Sequence, residues 1–100
     1  MGKIYFTLTG TKYYHGKEFL KKEMQVILVK EPDNEYDKDA IRVELPGLGK
    51  IGYVANSPHT VIGDSISAGR MYEKIGKKAI GKVKIVTPDG VICKLGKKKK

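Results

Sequence analysis

Apolar and polar residues alternate along several short stretches of the chain, and this pattern predicts β-strands. In KIYFTLTG (3–10), Ile4, Phe6 and Leu8 recur at every second position, as on one face of a strand. MQVILVKE (24–31) contains an unbroken apolar run, which is typical of a buried strand. Further strands are predicted in AIRVEL (40–45), KIGYVA (50–55), AIGKVKIVT (79–87) and VICKL (91–95).

One clear helix is predicted after the fourth strand. Ser57 is a favourable N-cap, Pro58 suits the first helical position, and Gly69 ends the helix. The apolar residues that share one face of this helix are Val61, Ile62 and Ile66. The charged segment KEFLKKEM (17–24) is interpreted as a single helical turn.

Two further signals concern how the strands connect. Gly52, inside the fourth strand, indicates a bulge or a sharp bend, and PDG (88–90) predicts a tight turn that pairs the last two strands. Five to six short strands with one or two short helices predict a mostly β protein. The architecture expected is a small OB-like or SH3-like β-barrel.

The chain is basic, with 100 residues and a net charge of +9, of which Lys97–Lys100 carry four. We interpret residues 1–96 as one domain and residues 97–100 as a basic tail. The charge favours a polyanionic partner, since neutralised phosphates release counterions. It does not separate nucleic acid from an anionic membrane or an acidic protein, although a basic amphipathic membrane helix is missing.

Localisation is indicated by what the sequence lacks. There is no apolar run of the roughly 18–20 residues that cross a bilayer, and the first residues do not form a signal peptide. A single cysteine, Cys93, excludes an internal disulfide framework. These features predict a cytoplasmic protein without a membrane partner.

The polar segment EPDNEYDKDAIRV (31–43) is the candidate for chemistry. The carboxylates that fall at ligand positions of a calcium loop are Asp33, Glu35, Asp37 and Glu44. Lys38, however, stands where such a loop requires glycine, and the chain contains no Asp-x-Lys or Glu-x-Lys triplet of the kind found in metal-dependent nucleases. His15 and His59 are isolated from each other in the sequence. We therefore expect no metal, no cofactor and no enzymatic activity.

Binding is the remaining interpretation of this segment. The side chains that can cap a turn by hydrogen bonds to nearby backbone are Asp33, Asn34 and Asp37. Tyr36, flanked by acids, either covers an edge of the core or awaits a ligand. In TKYYHG (11–16), Lys12 precedes the adjacent tyrosines Tyr13 and Tyr14. Exposed aromatic rings interleaved with lysine favour single-stranded nucleic acid, and the alternative is that these tyrosines only form strands.

Three stretches together, GTKYYHG (10–16), VKEPDNEYDKDAIRVEL (29–45) and GKIGYVA (49–55), resemble the HIRAN domain. This family occurs at the front of some DNA-remodelling helicases and as small stand-alone bacterial proteins, and the resemblance runs from Phe6 to Leu95. It implies an OB-like barrel that captures the 3′ end of single-stranded DNA in repair or replication-fork processing. By this resemblance Tyr13 and Tyr36 stack on bases.

The resemblance also assigns roles to polar residues. It implies that Asp37 accepts a hydrogen bond from the 3′-hydroxyl, that Lys12 holds a phosphate, and that Asn34 bonds the DNA backbone or shapes the loop. Two departures limit the transfer: ANSP (55–58) offers Asn56 where the helicase version has lysines, and Ile92 stands near the position of a late aromatic.

The basic stretch RMYEKIGKKAIGKVK (70–84) has two interpretations: it replaces the missing phosphate contacts, or it is only a solvated face. The predicted DNA-binding residues are Lys12, Tyr13, Asn34, Tyr36, Asp37, Asn56, Lys77 and Lys78. A rival hypothesis is a protein-interaction module that uses the same groove within a larger complex.

Overall fold

The computed structural model describes residues 3–14, 16, 18–57 and 59–96. Six strands occur in this part of the chain, and they flank one short α-helix. The elements are β1 (Tyr5–Thr9), a 3₁₀ turn (Thr11–Tyr13), β2 (Gln25–Lys30), β3 (Ile41–Leu45), β4 (Gly49–Val54), α1 (Ala68–Tyr72), β5 (Lys78–Thr87) and β6 (Gly90–Leu95). The predicted tail Lys97–Lys100 lies outside the described residues.

The strands close into a barrel in the order β1-β4-β3-β2-β5-β6, with antiparallel pairing throughout. The prediction of a mostly β barrel with five to six strands is therefore confirmed, and the barrel has six. The predicted tight turn is also present, because Thr87 pairs with Gly90 across a two-residue loop. Within the described part of the chain, no helix combines the length and the hydrophobicity that a membrane span requires.

The core follows the alternation within each strand. In β2, Val26 and Leu28 are fully buried, whereas Ile27 and Val29 are only half-buried. The prediction that this whole run is buried was therefore wrong, because one face of a barrel strand points away from the core. The largest fully buried side chains are Phe6, Leu8, Leu28, Ile41, Ile51 and Met71.

The predicted irregularity at Gly52 is confirmed. Val43 pairs with Gly52 but Glu44 pairs with Lys50, so Ile51 is an extra residue in β4. The bulge brings β4 against β1 so closely that a Cβ at Gly52 would lie 2.5 Å from the carbonyl oxygen of Thr9. Only glycine allows this approach.

The helix predicted from Ser57 to Gly69 was wrong. Pro58 lies outside the described residues, and the segment after it forms turns that are fastened to β1. The hydroxyl of Thr7 accepts a hydrogen bond from the Ile62 amide at 3.0 Å, and the Ile66 amide donates to the carbonyl of Tyr5 at 2.8 Å. These bonds to β1 take the place of the hydrogen bonds that a helix would form. The apolar spacing of Val61, Ile62 and Ile66 therefore does not mark one face of a helix.

The observed N-cap of the helix, Ser67, lies ten residues after the predicted N-cap, Ser57. The Ser67 hydroxyl caps α1 by accepting from the Arg70 amide at 3.3 Å. The helical turn expected in KEFLKKEM was also wrong where the chain is described: Glu18–Phe19 and Lys22–Glu23 form turns, and the Glu23 amide donates to the carbonyl of Val83 at 2.7 Å.

Candidate nucleic-acid interface

A groove of about 590 Å³ lies where the loop between β2 and β3 meets the end of β4. We call it the tyrosine groove, because three tyrosines contribute to its wall. The described residues that line it are Tyr14, Asn34, Tyr36, Asp37, Ala40, Tyr53, Val54, Asn56, Ser57 and Thr60. Four of the eight predicted DNA-binding residues therefore come together here, namely Asn34, Tyr36, Asp37 and Asn56.

Tyr36 is the most exposed large hydrophobic side chain among the described residues, with 93% of its surface accessible. Its ring therefore does not cover the core, which removes one of the two explanations that the sequence allowed. The backbone beneath the ring is fixed, because the Tyr36 amide donates to Oδ1 of Asn34 at 2.8 Å. An ordered backbone that presents an exposed ring is suited to stacking on a flat ligand.

Asn34 organises the loop that carries Tyr36. Its Oδ1 also accepts from the Asp37 amide at 3.0 Å, and its Nδ2 donates to Oε1 of Glu31 at 2.9 Å. These bonds are the turn-capping pattern expected of asparagine in such a segment. Because both ends of the amide are engaged within the loop, Asn34 acts chiefly by shaping it.

The carboxylate of Asp37 is held from two sides. Oδ1 accepts from the Asp39 amide at 2.9 Å, and Oδ2 accepts from Nδ2 of Asn56 at 2.9 Å. An ionised carboxylate offers about four lone-pair positions, so each oxygen keeps capacity for a further donor. Asp37 is half-buried and lines the groove.

Asn56 links this loop to the helix. While its Nδ2 donates to Asp37, its Oδ1 accepts from the Gly69 amide in the first turn of α1 at 2.8 Å. The sequence predicted Asn56 as a direct DNA contact. Its observed bonds add a second role, which is to orient the carboxylate of Asp37.

A polar network behind the groove was not predicted from the sequence. The Tyr53 hydroxyl donates to Oε1 of Glu31 at 2.9 Å, and Nζ of Lys50 donates to the Tyr53 hydroxyl at 2.9 Å. The same Nζ lies 5.4 Å from the ring centroid of Tyr14, within reach of a cation–π contact. The only signal in the sequence was that Tyr53 alternates with buried residues in β4.

Glu31 is ionised through this network. Burial alone would raise its pKa, but hydrogen bonds from Asn34 and Tyr53 outweigh that effect. Arg42 and Lys50 act in the same direction, so the pKa of Glu31 lies below its ordinary value of 4.5. A charged Glu31 keeps Asn34 in place, and thereby the loop.

Lys12, Lys77 and Lys78 are not among the described residues that line the groove. Lys12 is exposed on the 3₁₀ turn, which also contains the backbone of Tyr13, whereas the Tyr13 side chain lies outside the described residues. Lys77 and Lys78 are exposed where β5 begins, and the Lys77 carbonyl accepts from the Lys30 amide at 3.1 Å. Within the described residues, no three His, Cys, Asp or Glu side chains gather as a metal site would.

A closed antiparallel barrel with a tyrosine-lined groove defines a small β-barrel binding module. The sequence model of the HIRAN domain matches residues 1–70, and the chain belongs to this family. HIRAN domains are associated with DNA binding and are not a catalytic family.

Two solved structures share the fold. The crystal structure of the HIRAN domain of human HLTF is 20% identical, with a TM-score of 0.62 over 94% of this chain and 74% of that chain. A structural-genomics crystal structure of a protein from Lactobacillus plantarum is 24% identical, with a TM-score of 0.63 over 94% of this chain and 93% of that chain. No curated protein matches the sequence.

Proposed function

We infer that this chain is a non-enzymatic module that binds single-stranded DNA at a free 3′-hydroxyl end, in DNA repair or replication-fork processing. The observation that carries this inference is the pairing of an exposed ring with an oriented carboxylate on adjacent residues. Tyr36 presents its ring to solvent, and the next residue, Asp37, lines the same tyrosine groove.

The two side chains suit the two chemical features of a strand end. A terminal base can stack on the Tyr36 ring, an interaction worth about 1–3 kcal/mol per base. The 3′-hydroxyl can donate to Asp37, whereas a 3′-phosphate would bring negative charge against a carboxylate. This role gives a reason for the acidic side chain of Asp37 in a basic protein: it distinguishes a free 3′-hydroxyl from a 3′-phosphate.

The remaining predicted residues serve the strand beyond its end. We assign a second stacking position to Tyr13 and phosphate contacts to Lys12, Lys77 and Lys78. The described lining of the tyrosine groove includes no lysine or arginine. Binding within the groove therefore depends on stacking and on hydrogen bonds more than on phosphate neutralisation.

The test is fluorescence anisotropy with a short labelled single strand. Ligands with a 3′-hydroxyl, a 3′-phosphate and a blunt duplex end are compared at about 50 and 200 mM salt, a range over which phosphate contacts are strongly weakened. We expect the wild type to prefer the 3′-hydroxyl strand. Asp37→Asn is expected to abolish that preference, while Asp33→Asn, the same charge change on an exposed residue of the same loop, is expected to retain it.

Two outcomes would overturn the proposal. Equal binding of all three ligands by the wild type would leave a generic basic protein. Absence of DNA binding at the lower salt would instead assign the groove to recognition of a partner protein.

A further inference from the structure

A second groove, of about 490 Å³, lies on the outside of the barrel beside β5. We call it the aliphatic groove. The described residues that line it are Gln25, Ile27, Lys74, Ile75, Gly76, Lys78, Ala79, Ile80, Leu95 and Gly96. It shares no described lining residue with the tyrosine groove, and it falls in the size range of roughly 300–1,000 Å³ in which proteins hold small ligands or short segments.

The floor of this groove is built into the sheet. Ile27 and Ile80 are directly opposite each other in the β2–β5 register, and both are half-buried. Ile27 lies between the buried residues Val26 and Leu28, so its side chain is on the outer face of the barrel. Two aliphatic side chains therefore remain partly exposed side by side on the outer face. Because the barrel is closed, no further strand can pair with β2 or β5 to cover them.

One wall of the groove is the segment that connects α1 to β5. Ile75 packs against the barrel core, and Lys74 is anchored by its amide, which donates to the Met71 carbonyl at 2.8 Å. The wall is therefore fixed in position by contacts of its own. The groove is a preformed feature of the fold, which lowers the cost of ordering on binding.

The charge at the rim has one sign. Lys74 and Lys78 line the groove, and none of its described lining residues is acidic. Among the described residues, neither lysine forms a salt bridge with a carboxylate. Gly96 at the end of the groove is followed in the sequence by four lysines, Lys97–Lys100. The groove therefore favours a ligand that has apolar groups for the aliphatic floor and negative charges for the lysines at the rim.

We propose that the aliphatic groove docks a short acidic segment of a partner protein, whose apolar side chains rest on Ile27 and Ile80 while its carboxylates face Lys74 and Lys78. A nucleic acid fits less well. None of the described lining residues is aromatic, so bases find no ring to stack on, and an aliphatic floor offers nothing to phosphates. The module would thus hold a DNA end in the tyrosine groove and a partner in the aliphatic groove, and Lys78 would lie within reach of both ligands.

The test uses the full chain, ¹⁵N-labelled, and a nine-residue peptide that alternates glutamate with leucine. We expect saturable amide shifts at Gly76, Ala79, Ile80 and Gly96, with none in the loop of residues 31–40. Two control peptides separate the contributions: one carries serine in place of leucine, and the other carries lysine in place of glutamate. Neither control is expected to bind.

Variants then locate the contacts. Lys74→Glu is expected to weaken peptide binding about three- to tenfold, as expected for reversal of a partly screened charge. Ile80→Thr is expected to weaken it about fivefold, because apolar contact area is lost while strand propensity is kept. The matched controls are Lys38→Glu and Ile85→Thr, which make the same changes outside the groove and are expected to leave the affinity unchanged.

Oligonucleotide binding is followed on the same samples. The proposal predicts that Ile80→Thr leaves binding of the 3′-hydroxyl strand unchanged. It is overturned if the oligonucleotide shifts the amides of Gly76, Ile80 and Gly96, which lie beyond the phosphate contacts assigned to Lys77 and Lys78, as the peptide does. It is also overturned if acidic peptides carrying leucine, isoleucine or phenylalanine all leave these amides unmoved at millimolar concentration. Neither result depends on whether the tyrosine groove reads a 3′ end.

Discussion

Nδ2 of Asn56 lies 2.9 Å from Oδ2 of Asp37, and this hydrogen bond joins the loop between β2 and β3 to the segment that follows β4. The side-chain amide of Asn56 is itself fixed, because its Oδ1 accepts a hydrogen bond from the backbone N–H of Gly69 at the start of α1. The direction of the Asp37 carboxylate is therefore set by two other parts of the fold, and this dependence can be tested.

Asn56→Ala is expected to reduce the preference for a 3′-hydroxyl over a 3′-phosphate while retaining most of the affinity that stacking supplies. Loss of its two hydrogen bonds is also expected to cost about 1–3 kcal/mol of unfolding free energy. Anisotropy with both oligonucleotides gives the ratio of dissociation constants, and urea unfolding gives the stability. Ser57→Ala, in the same groove wall, is the control, and an unchanged ratio in Asn56→Ala would contradict a positioning role.

Tyr36→Ala is expected to weaken binding of every single strand by about 5- to 150-fold, the equivalent of about 1–3 kcal/mol of stacking. Tyr36→Trp is expected to retain the affinity, since it keeps an aromatic face. The stability of both variants is expected to match the wild type, because the ring is 93% exposed. A loss of affinity in both variants alike would show that the ring does not act by stacking.

Glu31 predicts an acid-sensitive contribution to stability. Its folded-state pKa lies below the ordinary value of 4.5, so its contribution is fully present above 4.5 and is lost as the pH falls through the folded pKa. Glu31→Gln is expected to flatten the acid limb of a plot of unfolding free energy against pH. Glu35→Gln, an exposed neighbour in the same loop, is expected to keep the slope of the wild type.

Gly52→Ala is expected to destabilise the barrel by more than about 2 kcal/mol, because the new Cβ would meet the Thr9 carbonyl and the Leu8 side chain. Gly76→Ala is the matched control. Its Cβ would enter open space, so the substitution is expected to be neutral or slightly stabilising. Urea midpoints of the two variants give the comparison, and equal midpoints would mean that β1 and β4 can move apart without cost.

Cys93 is fully buried, and burial raises the pKa of its thiol to about 12. The native protein at pH 8 is therefore expected to react with iodoacetamide only through unfolding. The labelling rate should rise with urea in parallel with the unfolded fraction measured by circular dichroism. Fast labelling without denaturant would show that the β5–β6 region opens locally.

The sequence located the loop of the tyrosine groove but not its other wall. Tyr36 could be singled out because an aromatic residue in a dense polar segment is unusual between two strands, whereas the role of Asp37 followed only from the resemblance to the HIRAN domain, and both roles stay predictions. Tyr53 and Glu31 could not be singled out, since they are brought together only by the pairing of β3 with both β2 and β4. The roles of Lys12, Lys77 and Lys78 as phosphate contacts stay predictions.

The helix was misplaced for a similar reason. The spacing of Val61, Ile62 and Ile66 fits a helix face, but the decisive bonds come from Thr7 and Tyr5 in β1. Local propensity cannot register a competing partner more than fifty positions away. The β-strands were more predictable, because alternation reports directly on which face of the sheet is buried.

The order of strands in the barrel has a consequence for how the chain is made. β1 pairs with β6, the last strand along the described part of the chain, and pairs with β4 only at Leu8 and Thr9. The stretch that matches the family ends at residue 70, before β5 and β6 begin. A nascent chain of that length contains the loop between β2 and β3, but β1 lacks its neighbour β6 and β2 lacks its neighbour β5. The pairing of β1 with β6 closes the barrel, so closure is possible only after β6 has been synthesised.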